Sequence, residues 1–420
     1  MKKWVFMLVG VLIVVMVFFL MKKEQFDPLQ EEKELSFKYF NEQTNWEQGS
    51  KGYGLVRDRA PGNPSIASIA ATGFGLSTLP IAVEEGWLTK DEAYIRAEGT
   101  LDTLLNLDTI EGFFYHFINI NSGKREWDSE LSNIDTAILI CGALYAGEYF
   151  GGDVLLKANE LYENVNWNWY IDPGNNQFYM SYTPEKGFSG HWDFYAEQLM
   201  LYVLGAGSPT YPIDPIVYDS FIRHYGRYGD GEKFIHSWFG SIFTYQFSHA
   251  WIDFSDITDQ KGINWFNNSV LASIANYEFC HDLKSEFETF AQGGWGVTAS
   301  DSPTGYNGLL GAAPSGYDNN SHVVDGTVAP AGAIGSIVFT PKESKEALNY
   351  YYTVEGLVGD YGLKDAYNLD QNWIASDYIG IDKGITLLMI KNYENESIWK
   401  TFMKNENIQN GLKRLGFSSK

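Results

Sequence analysis

Residues Gly187–Pro209 read GFSGHWDFYAEQLMLYVLGAGSP, and this stretch sets the expectation for the whole chain. A glycine-rich turn feeds a helical pattern, which Gly205, Gly207 and Pro209 stop. Apolar and aromatic residues fill nearly all of it: Trp192, Phe194, Tyr195, Leu199, Met200, Leu201, Tyr202 and Leu204. Two carboxylates interrupt the run, Asp193 and Glu197. They are four apart, so a helix would place both on one face. A surface helix mixes lysines with its acids, and this stretch has neither Lys nor Arg. Acids set into an aromatic helix point to a cleft wall. A solvated stripe on a core helix is the alternative.

Outward from there the pattern stays helical. Segments 31–46, 65–84, 88–107, 132–150, 153–164, 214–225, 239–247, 262–280, 286–292, 328–338, 342–352, 384–393 and 394–403 carry helical spacing or apolar runs, about twelve helices with few strands. Thr89 and Glu92 form a capping box for one of them. Segment 132–150 is apolar nearly all round and needs cover on every side. The run from Gly293 to Asp325 is irregular and rich in Gly, Trp and Tyr, which suits an ordered loop over a cleft. A basic turn, LVRDRAPG, occupies 55–62, and GFFYHFIN at 112–119 reads as a short strand or loop. One large all-alpha domain over 24–420 fits, and a six-hairpin (alpha/alpha)6 toroid accommodates twelve helices.

Composition narrows the function. Aromatics make up 16% of the 420 residues and Gly is frequent, a mixture suited to gripping sugar rings or to filling a large core. The formal net charge of -23 opposes nucleic acid, which needs a basic footprint, and disfavours an acidic polymer. A neutral ligand fits best. Trp4–Met21 is an apolar run flanked by Lys2, Lys3, Lys22 and Lys23, at the short end for a membrane span. Residues 1–23 are expected to be a signal anchor, giving a transmembrane segment with the domain on the extracellular face. A cleaved signal peptide, with a secreted domain, is the alternative. Cys141 and Cys280 lie in apolar contexts, as a disulfide or as two buried thiols. A monomer is expected.

Motif scanning excludes much. There is no P-loop, dinucleotide fingerprint, H-E-x-x-H or G-x-S-x-G, and no two histidines stand four apart. No metal or other cofactor is expected. What remains is carboxylates among aromatics and glycines. Glycosidic hydrolysis needs two carboxyl groups flanking the bond, one of them protonated, and apolar surroundings raise the pKa of such an acid.

Several segments carry a resemblance: SNIDTAILICGALYAGEYF, YTPEKGFSGHWDFYAEQLMLYVLGAGSPTYP, FTYQFSHAWIDF, WGVTASDSPTGY, DGTVAPAGAIGSIVFTP and DAYNLDQNWIASDYIGIDKGITLLMIKNY. In this order, across residues 35–405, they resemble the bacterial glucoamylase-like domain of endo-beta-1,2-glucanases and cyclic beta-1,2-glucan synthases. The resemblance implies an (alpha/alpha)6 toroid with a cleft at one end. It also implies hydrolysis of a beta-glucan, endo-acting and inverting as in the endo-beta-1,2-glucanases. A different glucan linkage, or a carbohydrate-binding protein without activity, remains open.

Within these segments Glu197 is the expected general acid. Asp377, between Trp373 and Tyr378, is the expected base, with Asp382 in reserve. Asp135 starts the DTAIL helix, as base, sugar ligand or N-cap. The expected substrate contacts are Glu111, Trp192, Asp193, Tyr195, His249, Asp253, Trp295, Asp301, Tyr306, Trp373 and Asp382. His249 reads equally as a core histidine, and Glu111 as a surface residue.

Overall fold

A helix that is apolar on every side needs cover on every side, and this chain provides it by nesting such segments in a ring. The structure, a computed structural model, describes residues 26–419. Fourteen helices lie among them: α1 (Pro28–Glu42), α2 (Ile69–Glu84), α3 (Lys90–Leu105), α4 (Asn133–Phe150), α5 (Gly152–Glu163), α6 (Leu199–Gly207), α7 (Ile216–Asp219), α8 (Trp265–Asp282), α9 (Glu288–Ala291), α10 (Pro330–Ile334), α11 (Pro341–Tyr351), α12 (Gly380–Asn395), α13 (Ser397–Phe402) and α14 (Glu406–Arg414).

Five of these, α2, α4, α6, α10 and α12, form the inner ring with two 3-10 turns, Ile242–Tyr245 and Phe247–Ala250. Helix α2 packs on α4, α4 on α6, α10 on α12, and α12 back on α2. The 3-10 turns close the remaining gap through side chains. Ser248 Oγ accepts from Met200 N–H (3.1 Å) and donates to the Glu197 carbonyl (2.6 Å). Gln246 Nε2 donates to the Gly332 carbonyl in α10 (2.7 Å). Outside the ring, α3 and α5 pack on α4, α1 on α12, α8 on the first 3-10 turn, α11 on α10, and α14 on α6. Helices therefore carry the fold, as an (α/α)6 toroid.

Glycine sets how closely the inner helices approach. A Cβ on Gly142 would lie 1.9 Å from the Gly73 carbonyl oxygen, so α2 and α4 meet backbone to backbone. The strands are short and sit in the loops. The longest pair joins Gln177–Thr183 to Gly187–His191 in antiparallel register, Tyr179 opposite His191 and Thr183 opposite Gly187.

Several expectations are corrected. Gly187–His191 is a strand, α6 begins only at Leu199, and Asp193 and Glu197 precede it in a loop, so they share no helix face. The glycines at 187 and 190, both at positive φ, shape a hairpin instead of a helix start. Segment 214–225 holds a single helical turn, 239–247 forms 3-10 turns, and α14 was not expected at all. Ser132, not Asp135, caps α4; its Oγ accepts from Asp135 N–H (3.1 Å). Both cysteines are free and buried. The transmembrane expectation is not upheld. Among the described residues no helix is long and apolar enough to cross a membrane, and the run Trp4–Met21 on which it rested lies outside them.

Candidate active site

The first turns of the inner helices border one branched cavity. Ala70 of α2, Ile134 and Asp135 of α4, Ala331 and Gly332 of α10, and Ile381 and Asp382 of α12 all line it, as does Glu197 just ahead of α6. Phe243 and Tyr306 border each of its three arms. Helix N-termini carry partial positive charge, so the ring aims its favourable ends at a site crowded with carboxylates.

Glu197 stands where two arms meet. Its loop is held along its length. Trp192 is buried and its Nε1 donates to Asn133 Oδ1 at the start of α4 (3.1 Å). Gln198, the N-cap residue of α6, folds its amide back: Oε1 accepts from Ala196 N–H (2.6 Å) and Nε2 donates to the Phe194 carbonyl (2.8 Å). Burial pushes the Glu197 carboxyl up to about 7, and the negative charge of Asp135 adds to the shift. A carboxyl in that range still holds its proton near neutrality, as a general acid must.

Asp135 faces His116 and Glu130. The His116 Nδ1 lies 2.9 Å from Glu130 and 3.7 Å from Asp135. Burial works against the imidazolium, but Asp135 and Glu130 outweigh it and hold His116 up to about 9. These three are the residues, among those described, whose ligand atoms lie close enough to share a metal ion. A protonated His116 is a cation set between two carboxyl groups, with hydrogen on both ring nitrogens.

The opposite wall is built around Arg59. Its guanidinium reaches Asp301 (3.0 Å), Asp58 (3.3 Å) and Asp377 (3.4 Å). Asp377 also accepts from Gly62 N–H (2.9 Å), where a Cβ would lie 2.6 Å from its carboxylate, so only glycine fits. Its oxygens are engaged in anchoring a loop, and it borders none of the three arms. Asp382 does border the cavity, next to buried Asp365. Burial raises both carboxyls, Asp382 to about 6 and Asp365 well above its ordinary value, with the charge of Asp382 adding to the Asp365 shift. Asp365 therefore keeps its proton, donates to Asp382, and accepts from Asp301 N–H (2.8 Å).

Asp301 and Tyr306 face each other across the hairpin Ser300–Ser302/Gly305–Asn307. Tyr306 is 69% exposed, yet the charges of Glu197, Asp365, Asp382 and Asp301 all act on its phenol. Trp373 joins Arg59, Asp301 and Tyr306 in an outer, open extension of the cavity. Asp193 is exposed in the arm beside Glu197.

Tyr195 lines the arm beside Glu197, though its ring is largely buried and stacks on Trp265 (4.9 Å). Other expected contacts lie elsewhere. His249 sits in the core among Phe254, Phe266 and Phe339, its Nε2 3.0 Å from Ser269 Oγ, and burial lowers its pKa to about 3. Trp295 is buried and its Nε1 donates to the Glu343 carbonyl (3.4 Å). Asp253 closes a turn by accepting from Ser255 N–H (2.9 Å). Glu111, exposed at a positive φ, accepts from Asn166 (2.9 Å). His249, Asp253, Trp295 and Glu111 border no arm of the cavity. Arg59, His116, Glu130, Asp365 and Gln198 were not singled out from sequence. All but Glu130 lie in segments that drew notice, such as LVRDRAPG or GFFYHFIN, but only tertiary contact shows their partners.

The Glycoamylase family model, described as "Putative glucoamylase", matches residues 189–406, more than half of the 420. A solved structure from Bacteroides uniformis under the same description is 27% identical; the match covers 94% of this chain and 99% of that one, with a TM-score of 0.83. An endo-beta-1,2-glucanase of Chitinophaga pinensis, in complex with sophorotriose and glucose, is 25% identical over 93% of this chain and 98% of its own, also with a TM-score of 0.83. A curated relative, the exo beta-1,2-glucooligosaccharide sophorohydrolase (non-reducing end) of Parabacteroides distasonis, is 26% identical over 91% of this chain. The chain spans 57% of that relative's length. With a family model matching over half its length and agreement in fold along nearly all of it, the chain belongs to the Glycoamylase family.

Proposed function

We propose that this protein is a glycoside hydrolase that cleaves beta-1,2-linked glucan by inversion, with Glu197 as general acid and Asp382 as general base. The observation that carries this reading is one cavity bordered by two carboxyls raised into the neutral range, Glu197 to about 7 and Asp382 to about 6. Glu197 protonates the glycosidic oxygen. Asp382 takes a proton from the water that attacks the anomeric carbon. Asp382 replaces Asp377 in this role because Arg59 and the Gly62 N–H occupy Asp377. Asp365 holds its own proton toward Asp382 and orients it.

The linkage rests on the activities named for the relatives, which act on beta-1,2-glucan or its oligosaccharides. Endo action is favoured because the cavity continues on both sides of Glu197, toward the hairpin at 177–191 and toward Trp373. On this reading residues 24–420 work as one catalytic domain, a monomer acting on polysaccharide outside the cell. Incubation of the protein with linear beta-1,2-, beta-1,3- and beta-1,4-glucans tests it. Short sophoro-oligosaccharides from the first, with the alpha anomer appearing initially by proton NMR, are expected. Turnover of another linkage alone, or initial beta anomer, overturns the linkage or the stereochemistry respectively.

A further inference from the structure

One arm of the cavity runs away from Glu197 and carries features that neither acid nor base uses. Trp238, at the far wall, is 38% exposed, and Tyr317 beside it is 60% exposed. Their rings stand perpendicular, 5.5 Å apart, and each meets the buried Phe194 edge to face, at 5.3 and 5.8 Å. Such mutually perpendicular packing fixes ring orientation while leaving a ring face for a ligand. Phe194 itself is held by Gln198, in the same loop as Glu197. Trp238 shares the arm with the polar side chains of Asp193 and Glu197. An aromatic face beside polar groups matches the chemistry of a pyranose, apolar on one face and ringed by hydroxyls.

We infer that this arm is a remote glucosyl subsite, in which a sugar ring stacks on Trp238. The inference rests on the reading of the protein as a beta-glucan hydrolase. It makes Trp238 a determinant of chain-length preference, acting on units beyond those at the scissile bond. The arm's acidic neighbours, Asp193 and Glu197, suit a neutral sugar and repel a uronic acid.

The test is kcat/KM on sophoro-oligosaccharides of increasing length, for the parent enzyme and three variants. Trp238→Ala is expected to lower kcat/KM on long chains by about tenfold to thirtyfold, the scale of losing an aromatic anchor, and by much less on the shortest chain cleaved. Trp238→Phe keeps a ring and is expected to retain most of the length preference. Tyr211→Ala, at an exposed aromatic outside the cleft, is the control and leaves both values at the parent level. Equal losses at every length, or no loss from Trp238→Ala, overturn the subsite while leaving the hydrolase reading intact. Absence of turnover by the parent enzyme on any sophoro-oligosaccharide overturns that reading, and the subsite with it.

Discussion

Glu197 carries the sharpest expectation. Glu197→Gln preserves shape and removes the transferable proton, so turnover should fall roughly 100-fold to 10,000-fold, the usual range for general acid catalysis. Asp193→Asn is the control. Asp193 is exposed in the same arm, and its replacement should cost far less; the reverse ranking would move the acid to Asp193. The pH profile follows from the same two carboxyls. Glu197 must be protonated, and its pKa lies near 7; Asp382 must be ionised, and its pKa lies near 6. The profile of kcat/KM should therefore be a narrow bell, falling below about 6 and above about 7. Stability links to the same shift. The folded-state pKa of Glu197 is raised from 4.5 to about 7, so the native state keeps a proton that the unfolded chain releases. That contribution is full at low pH and is lost as pH rises through this window. Glu197→Gln should accordingly match the parent Tm near about pH 4 and exceed it near about pH 8, as read by thermal unfolding at both values.

The elements around these residues set their precision. The loop Trp192–Gln198 leaves the strand Gly187–His191 and enters α6 without helical hydrogen bonds of its own, so the Gln198 amide supplies two. Gln198→Leu should lower kcat with little change in KM and destabilise the fold by about 2 kcal/mol, about 1 kcal/mol for each bond lost. Steady-state kinetics with urea unfolding checks both. At the start of α12, Asp365 acts as a neutral donor to Asp382. Asp365→Asn retains a donor and no charge, so the acidic limb of the pH profile should hardly move. Asp365→Ala removes the donor, and that limb should shift to higher pH. A shift of that limb to lower pH in both variants would show that Asp365 is ionised in the enzyme. The hairpin that presents Tyr306 hangs on Arg59 through Asp301, which makes it the element best placed to adjust when a glucan chain enters.

Considered whole, the molecule is a ring of buried segments with every first turn facing one cavity. That geometry lets loops from distant parts of the chain meet: Arg59 touches Asp301 and Asp377, which are 242 and 318 residues away. It also makes the cleft long. With open volume on both sides of Glu197, the parent enzyme should release a spread of short oligosaccharides from linear beta-1,2-glucan at early times; accumulation of sophorose alone from chain ends would show exo action. Chelation should leave turnover unchanged, because His116, held near 9 by Asp135 and Glu130, is protonated where the enzyme works. Loss of activity on chelation, restored by a divalent ion, would overturn that.

Local pattern alone determined the helical class, the capping box at Thr89 and the all-round burial of α4. These depend on neighbours within a few positions, where helical spacing and cap residues leave their mark. The ordered motifs shared with glucoamylase-like domains supplied the toroid, and Glu197 was chosen from its aromatic surroundings. The helix assigned to Glu197 failed because aromatic residues there serve a strand, a loop and α6 in turn, and a run apolar throughout has no period to separate them. Tertiary structure decided the rest. His249 looks like a ligand of a sugar until the core closes around its ring. Asp377 and Asp382 are indistinguishable as a base in sequence, five positions apart. Folding gives Asp377 the cation of Arg59 and gives Asp382 a buried carboxyl and open cavity, since long-range packing fixes which charge meets which partner.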